Sequence, residues 1–232
     1  MDVKDLQVLH EDNHVIVVVK PQNVPSQADS SHDKDMLTLV KEYVKRKYDK
    51  KGEAFIGLVH RLDRPTGGVM VFAKTSKAAS RLSESIREGD LEKTYLAVVN
   101  GNLPENEGTL VNYLKKNSIT NVVYTVPEAT EGAKRAELQY QVVENKGKYN
   151  LVKVNLITGR GHQIRVQLSN AGAVICGDVK YGNHEPCKLA LWASVLKFEH
   201  PTTKQRMTFI AYPPEEETPW KSFNLDKALR VF

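Results

Sequence analysis

The first strong hydrophobic pattern is Val15-Ile16-Val17-Val18-Val19, β-branched or branched at every position and halted by Lys20-Pro21. A run apolar on both of its alternating faces predicts a buried strand, followed here by a loop from Pro21 to Ser31. Asp35 is placed to cap a helix over Met36 to Tyr48, with Leu37, Val40, Val44 and Tyr48 at helical spacing and Lys41, Lys45, Arg46 and Lys47 on its other face. Val69-Met70-Val71-Phe72-Ala73 predicts a second buried strand. Thr75 or Ser76 then caps a helix with an inner stripe of Ala79, Leu82 and Ile86, and Gly89 ends it.

Thr94 to Val99 reads as another strand. Between Gly101 and Lys134 the chain turns polar and is punctuated by Gly108, Pro127 and Gly132, which predicts a meander of short strands. Ala136, Leu138, Tyr140 and Val142 alternate with Glu137, Gln139 and Gln141. That strand pairs with Tyr149 to Ile157 across Asn145-Lys146-Gly147-Lys148 as a hairpin. His162 to Asn170 predicts a short helix ended by Gly172, and Leu189 to Phe198 and Met207 to Tyr212 predict two strands around His200-Pro201-Thr202-Thr203. Strands outnumber helices and several are joined by hairpins. The expected fold is therefore α+β, with a mixed, mostly antiparallel sheet flanked by helices and loops, in a single domain over 1–232 with its core at about 13–214.

With 232 residues and 41% hydrophobic content the chain can bury a sizeable core. No apolar stretch approaches the roughly 18 residues of a membrane span. Met1-Asp2-Val3-Lys4-Asp5 lacks the apolar core of a signal peptide, so a cytoplasmic location without membrane association is expected. Cys176 and Cys187 have no paired metal-site spacing and read as reduced thiols, and the histidines show no ligand spacing, so no metal is expected. The 33 Lys and Arg against 28 Asp and Glu give a net charge of +5, which favours a polyanionic partner.

Two clusters carry the candidate chemistry. In His60-Arg61-Leu62-Asp63-Arg64-Pro65-Thr66-Gly67-Gly68 a carboxylate sits among arginines just ahead of an apolar strand, a costly arrangement that a purely structural turn does not need. The second cluster is Gly159-Arg160-Gly161-His162-Gln163-Ile164-Arg165. Its glycines before a helix also fit an anion nest around Arg160.

These runs resemble the RluA-type pseudouridine synthases. The likeness begins at Val19-Lys20-Pro21-Gln22-Asn23-Val24-Pro25 and peaks at His60-Arg61-Leu62-Asp63. It continues through Lys93-Thr94-Tyr95-Leu96-Ala97, Gly159 to Leu168, Gly177-Asp178-Val179-Lys180-Tyr181-Gly182 and His200-Pro201-Thr202-Thr203. Gly67, Gly161 and Gln167 depart from the common serine, threonine and histidine. The resemblance implies an enzyme that isomerises uridines in structured ribosomal or transfer RNA to pseudouridine by base flipping. It implies no cofactor. The chain is expected to open directly into the catalytic region, without the S4-type RNA-binding domain of many relatives, and to be a monomer.

By the same resemblance Asp63 is the catalytic aspartate, Arg165 its ion-pair partner and Tyr95 the ring that stacks on the base, with its hydroxyl or a water near it left to take the carbon 5 proton at the end. Leu168, one turn after Arg165, is an expected apolar wall. Arg61 fills the space of the extruded uridine, and Lys20, Arg64, Arg160 and His162 are expected at phosphates or neighbouring bases. Two other classes compete. A binding module without catalysis has no use for Asp63, Tyr95 and Arg165 together, and a glycoside-type hydrolase needs a second carboxylate that neither cluster contains.

Overall fold

The structure, a computed structural model, describes residues 2–49, 51–182 and 185–229. Met1 and 230–232, which the expected domain includes, lie outside them. The chain divides into two compact units, Met1–Glu92 with Val195–Ala211, and Lys93–Ser194 with Tyr212–Phe232.

The first unit opens with an antiparallel hairpin of β1 (Gln7–Glu11) and β2 (Val15–Lys20). Every residue of β2 is buried, as its unbroken β-branched run requires. Helix α1 (Met36–Lys47) starts where Asp35 caps it, its carboxylate accepting from Thr38 N–H at 3.0 Å. It buries Met36, Leu39, Val40 and Val44, whereas Leu37 is half-buried and Tyr48 exposed. The inner stripe is thus rotated from the one expected, because Met36 in the first turn sets the face. Strand β3 (Gly57–Leu58) pairs with β4 (Gly67–Ala73), which in turn runs antiparallel to β2 from Val15 opposite Ala73 to Lys20 opposite Gly68. At Gly68 φ is +125°, a conformation that favours glycine, and it lies where the Asp63 loop enters β4. Helix α2 (Ser76–Glu88) has the expected caps, Thr75 and a left-handed Gly89. Its buried residues are Ala78 and Leu82.

The second unit is built on a meander. Strand β5 (Glu92–Asn100) pairs with β9 (Tyr149–Leu156), β9 with β8 (Lys134–Lys146), β8 with β6 (Glu107–Asn117), and β6 with β7 (Val122–Val126), all antiparallel. The expected short strands between 101 and 134 are a correction. One of them, β6, runs for 11 residues, and its pattern alternates exposed with half-buried positions around a single fully buried Leu114, too weak a signal for periodicity to register. Helix α3 (Gln163–Asn170) packs by Val166 on the cluster of Leu114, Val123 and Ala136. Strand β10 (Val174–Ile175) pairs with β5, and β11 (Leu191–Glu199) begins in this unit and ends in the first, where it pairs with β12 (Arg206–Ile210). A one-turn α4 (Leu225–Leu229) follows. The expected α+β fold is what forms, and the pairings within each unit are antiparallel. Among the described residues no helix is long and apolar enough to cross a membrane.

Candidate active site

The loop that carries Asp63 is clamped by the loop that follows β2. Ser26 Oγ donates to Leu62 O at 2.7 Å and accepts from Leu62 N–H at 3.1 Å. Asn23 N–H donates to Arg64 O at 2.8 Å, and Gln22 Nε2 to Pro65 O at 3.0 Å. Asp63 itself closes a turn, its carbonyl accepting from Thr66 N–H at 3.0 Å. His60 fixes the entry to the loop by accepting Val71 N–H on its Nε2 at 3.0 Å, which places the proton of a neutral ring on Nδ1. Each backbone tie lowers the freedom of the Asp63 carboxylate, and preorganisation of this kind is what a reacting group requires.

Lys20 is a correction to the expected phosphate contact. Its side chain is fully buried, and its ammonium donates to the carbonyls of Pro21, Val24 and Arg64 at 3.0, 2.6 and 2.9 Å. Three N–H bonds and three acceptors leave nothing to offer RNA. Burial pushes its pKa down to about 7, the charge of Asp63 opposes that, and the charge of Arg64 adds to it. The Asp63 carboxylate favours the protonated form, but burial prevails. Lys20 is thus the pin that joins the two loops, not a surface cation.

Arg64 is partly exposed and faces acid: its guanidinium pairs with Asp29 and Asp33 and donates to Ser31 Oγ at 2.7 Å. Arg61, in contrast, is exposed. In this unit, then, the loop that carries Asp63 and Arg64 is held by Lys20 at the end of β2.

In the second unit Tyr95 lies on β5, buried and opposite Val154 of β9. Leu168 is fully buried on α3. Arg165 is buried as well, and Asp178 grips it by two hydrogen bonds: Nε to Oδ2 and Nη2 to Oδ1, both 2.7 Å. Burial acts to raise the Asp178 pKa, but the hydrogen bonds and charge of Arg165 and the N–H groups of Lys180 and Tyr181 prevail and hold it below the usual carboxylate value. The guanidinium also stacks over the Tyr181 ring, 5.1 Å from its centroid.

His162 precedes α3 in the left-handed region, at φ +53°, and its Nδ1 lies 2.7 Å from the Tyr181 hydroxyl. Arg160 turns away from this group, donating through Nε to Arg135 O at 3.0 Å. Its N–H is taken by Gln163 Oε1 at 2.9 Å, so this amide is not offered to the anion nest that the flanking glycines also fit. Asp178 and Tyr181 were visible in sequence only as part of a family-like run, with no role attached, and Ser26 carried no signal at all. Gly177 belongs to the same run for a steric reason. A Cβ there meets the carbonyl oxygens of Cys187 and Lys188 at 2.5 and 2.4 Å, and its φ is +72°. Among the described residues no group of three or more His, Cys, Asp or Glu is disposed to hold a metal ion.

Residues 14–170 match the family model described as RNA pseudouridylate synthase. The chain is 34% identical over 214 residues to the Bacillus subtilis (strain 168) protein named Uncharacterized RNA pseudouridine synthase YjbO, covering 91% of this chain and 74% of that one. It is 33% identical over 215 residues to Ribosomal large subunit pseudouridine synthase C of Escherichia coli (strain K12), covering 88% of this chain and 65% of the relative's length. In fold it is similar to Human RNA Pseudouridylate Synthase Domain Containing 4, with a TM-score of 0.77, 24% identity and 91% of each chain covered. Human RNA Pseudouridylate Synthase Domain Containing 1 gives a TM-score of 0.76 at 22% identity, with 100% and 97% covered. The chain therefore belongs to the RNA pseudouridylate synthase family, whose members isomerise uridine to pseudouridine in RNA.

Proposed function

We propose that the protein isomerises specific uridines in structured ribosomal or transfer RNA, with Asp63 as the catalytic carboxylate, Arg165 as its counter-charge and Tyr95 as the ring that holds the released base. The reaction breaks the bond from ribose to base nitrogen, turns the base, joins the same sugar carbon to base carbon 5, and then removes the carbon 5 proton while the freed nitrogen ends protonated, so that the product is an isomer of the substrate. A carboxylate kept ionised beside the sugar supplies the nucleophile or base for that exchange, and a flat aromatic contact lets the base turn without leaving. Arg61 enters the space of the extruded uridine, Leu168 supplies apolar wall, and Arg64, Arg160 and His162 serve the surrounding RNA.

The observation that carries this reading is the clamp on the Asp63 loop. Ser26, Asn23, Gln22 and Lys20 hold the backbone on both sides of one carboxylate. Such investment in a single acid is hard to explain for a module that only binds. Action on ribosomal or transfer RNA is drawn from the name of the Escherichia coli relative and from the family resemblance, and a cytoplasmic, monomeric enzyme fits it.

Mapping pseudouridines in RNA from cells with and without the protein identifies the target. Restoring the Asp63→Asn variant should leave every dependent site as uridine while RNA binding stays within several fold, because the amide keeps the size and removes the charge. Modification by that variant at more than about a hundredth of the parent rate refutes the assignment.

A further inference from the structure

The Asp178 carboxylate is buried and saturated. Beside its two bonds from Arg165, Oδ1 accepts from the N–H groups of Lys180 and Tyr181 at 2.9 and 3.0 Å. Tyr181, whose ring lies under the guanidinium, is fixed in turn: its hydroxyl accepts from Val123 N–H at 2.8 Å and meets His162 Nδ1. One edge and one face of the Arg165 guanidinium are therefore set by the Gly177–Gly182 run. An arginine side chain is long and rotamer-rich, and without such a seat it does not keep one direction.

We propose that Asp178, with Tyr181 beneath, is a positioning residue for Arg165: it sets the direction in which Arg165 offers its charge to the reaction and touches neither RNA nor the reacting atoms itself. This rests on the reading that Arg165 serves the Asp63 chemistry. The bland alternative is that the pair only fastens the Gly177–Gly182 turn to α3.

Asp178→Asn separates the two. The remaining oxygen can still accept from Lys180 and Tyr181, which keeps the turn, but the amide nitrogen then faces Arg165 Nε–H, donor against donor. The turn survives while the guanidinium loses its seat.

The test compares the parent, Asp178→Asn and Arg165→Met on total RNA from cells lacking the protein, with single-turnover pseudouridine formation, RNA binding, thermal unfolding and the Arg165 Nε–H signal in NMR, assigned by its loss in Arg165→Met. For Asp178→Asn we expect a rate at least about tenfold lower, binding within about threefold, a folded protein at assay temperature, and an Nε–H signal shifted and exchange-broadened. A parent-like rate, an unchanged signal, a rate loss matched by the binding loss, or unfolding at assay temperature each overturns the proposal. Failure of the underlying reading looks different: Arg165→Met at the parent rate removes Arg165 from the chemistry, and a parent without isomerisation removes the activity.

Discussion

Lys20 and Arg64, 44 residues apart, meet as a buried ammonium on a backbone carbonyl at 2.9 Å. The contact joins the end of β2 to the loop that carries Asp63, and it binds a charged donor where water is excluded. A charge-assisted bond of this kind is stronger than a neutral one, and its loss leaves acceptors stranded.

Lys20→Met keeps the aliphatic bulk and removes the donor, leaving the carbonyls of Pro21, Val24 and Arg64 without it. The expected cost is about 3 kcal/mol of stability, together with a fall in turnover as the Asp63 loop loosens. Urea unfolding checks the first and single-turnover kinetics the second. Parent-like values of both would return Lys20 to an accessory role.

The case of Lys20 also shows what a sequence conceals. A lysine in a family-like loop suggests a surface cation, and only the convergence of three carbonyls, one of them from a loop 44 residues on, reveals a buried pin. Strands β2 and β4 were legible because a run buried on both faces is apolar throughout, and α2 because Thr75 and Gly89 mark its ends. Strand β6 was not, since its solvent-facing side removes half of the apolar signal. Asp63 and Arg165 were singled out as candidates by motif, while Asp178 was visible only as a letter in a run. Its role depends on a contact across 13 residues that no local pattern encodes.

The β1–β2 turn predicts an acid-sensitive contribution to stability. Asp12 Oδ1 accepts from His14 and Val15 N–H at 2.7 and 2.8 Å, and its Oδ2 lies 3.1 Å from His10 Nε2 and 3.0 Å from His200 Nε2. Burial opposes its ionisation, but the two N–H bonds and the histidines outweigh that and bring its pKa from 3.8 down to about 2. The unfolded chain then takes up the proton first as pH falls, so this stabilisation is complete above about pH 4 and is lost on the way down to about 2. Asp12→Asn should melt below the parent at pH 5, and the gap should close by pH 2 in paired thermal melts. A gap independent of pH would place the contribution in packing alone.

Tyr95 divides into a ring and a hydroxyl. Tyr95→Phe keeps the buried face opposite Val154, whereas Tyr95→Ala removes it. Loss of a stacking contact costs on the order of 1–3 kcal/mol per base, so the alanine variant should be about tenfold or more below the phenylalanine variant before any base has turned. If the hydroxyl moves the final proton, Tyr95→Phe should release the base from nitrogen yet stall before product. Full activity of Tyr95→Phe in a pseudouridine assay would exclude that role.

Arg61 and Arg64 flank Asp63 but differ in what surrounds them. Arg64 is already paired with Asp29 and Asp33, so a phosphate must compete for it, and Arg64→Ala should weaken RNA binding modestly and change its salt slope by less than about one unit. Arg61 is exposed. If it fills the gap of the extruded uridine, Arg61→Ala should slow the reaction far more on folded RNA than on a short unstructured strand, since only the folded substrate must give up stacking, at a few kcal/mol. A phosphate contact would instead weaken both substrates alike and lower the salt slope by about one unit. Single-turnover rates on the two RNAs at several salt concentrations decide between them, and equal losses on both would refute the flipping role.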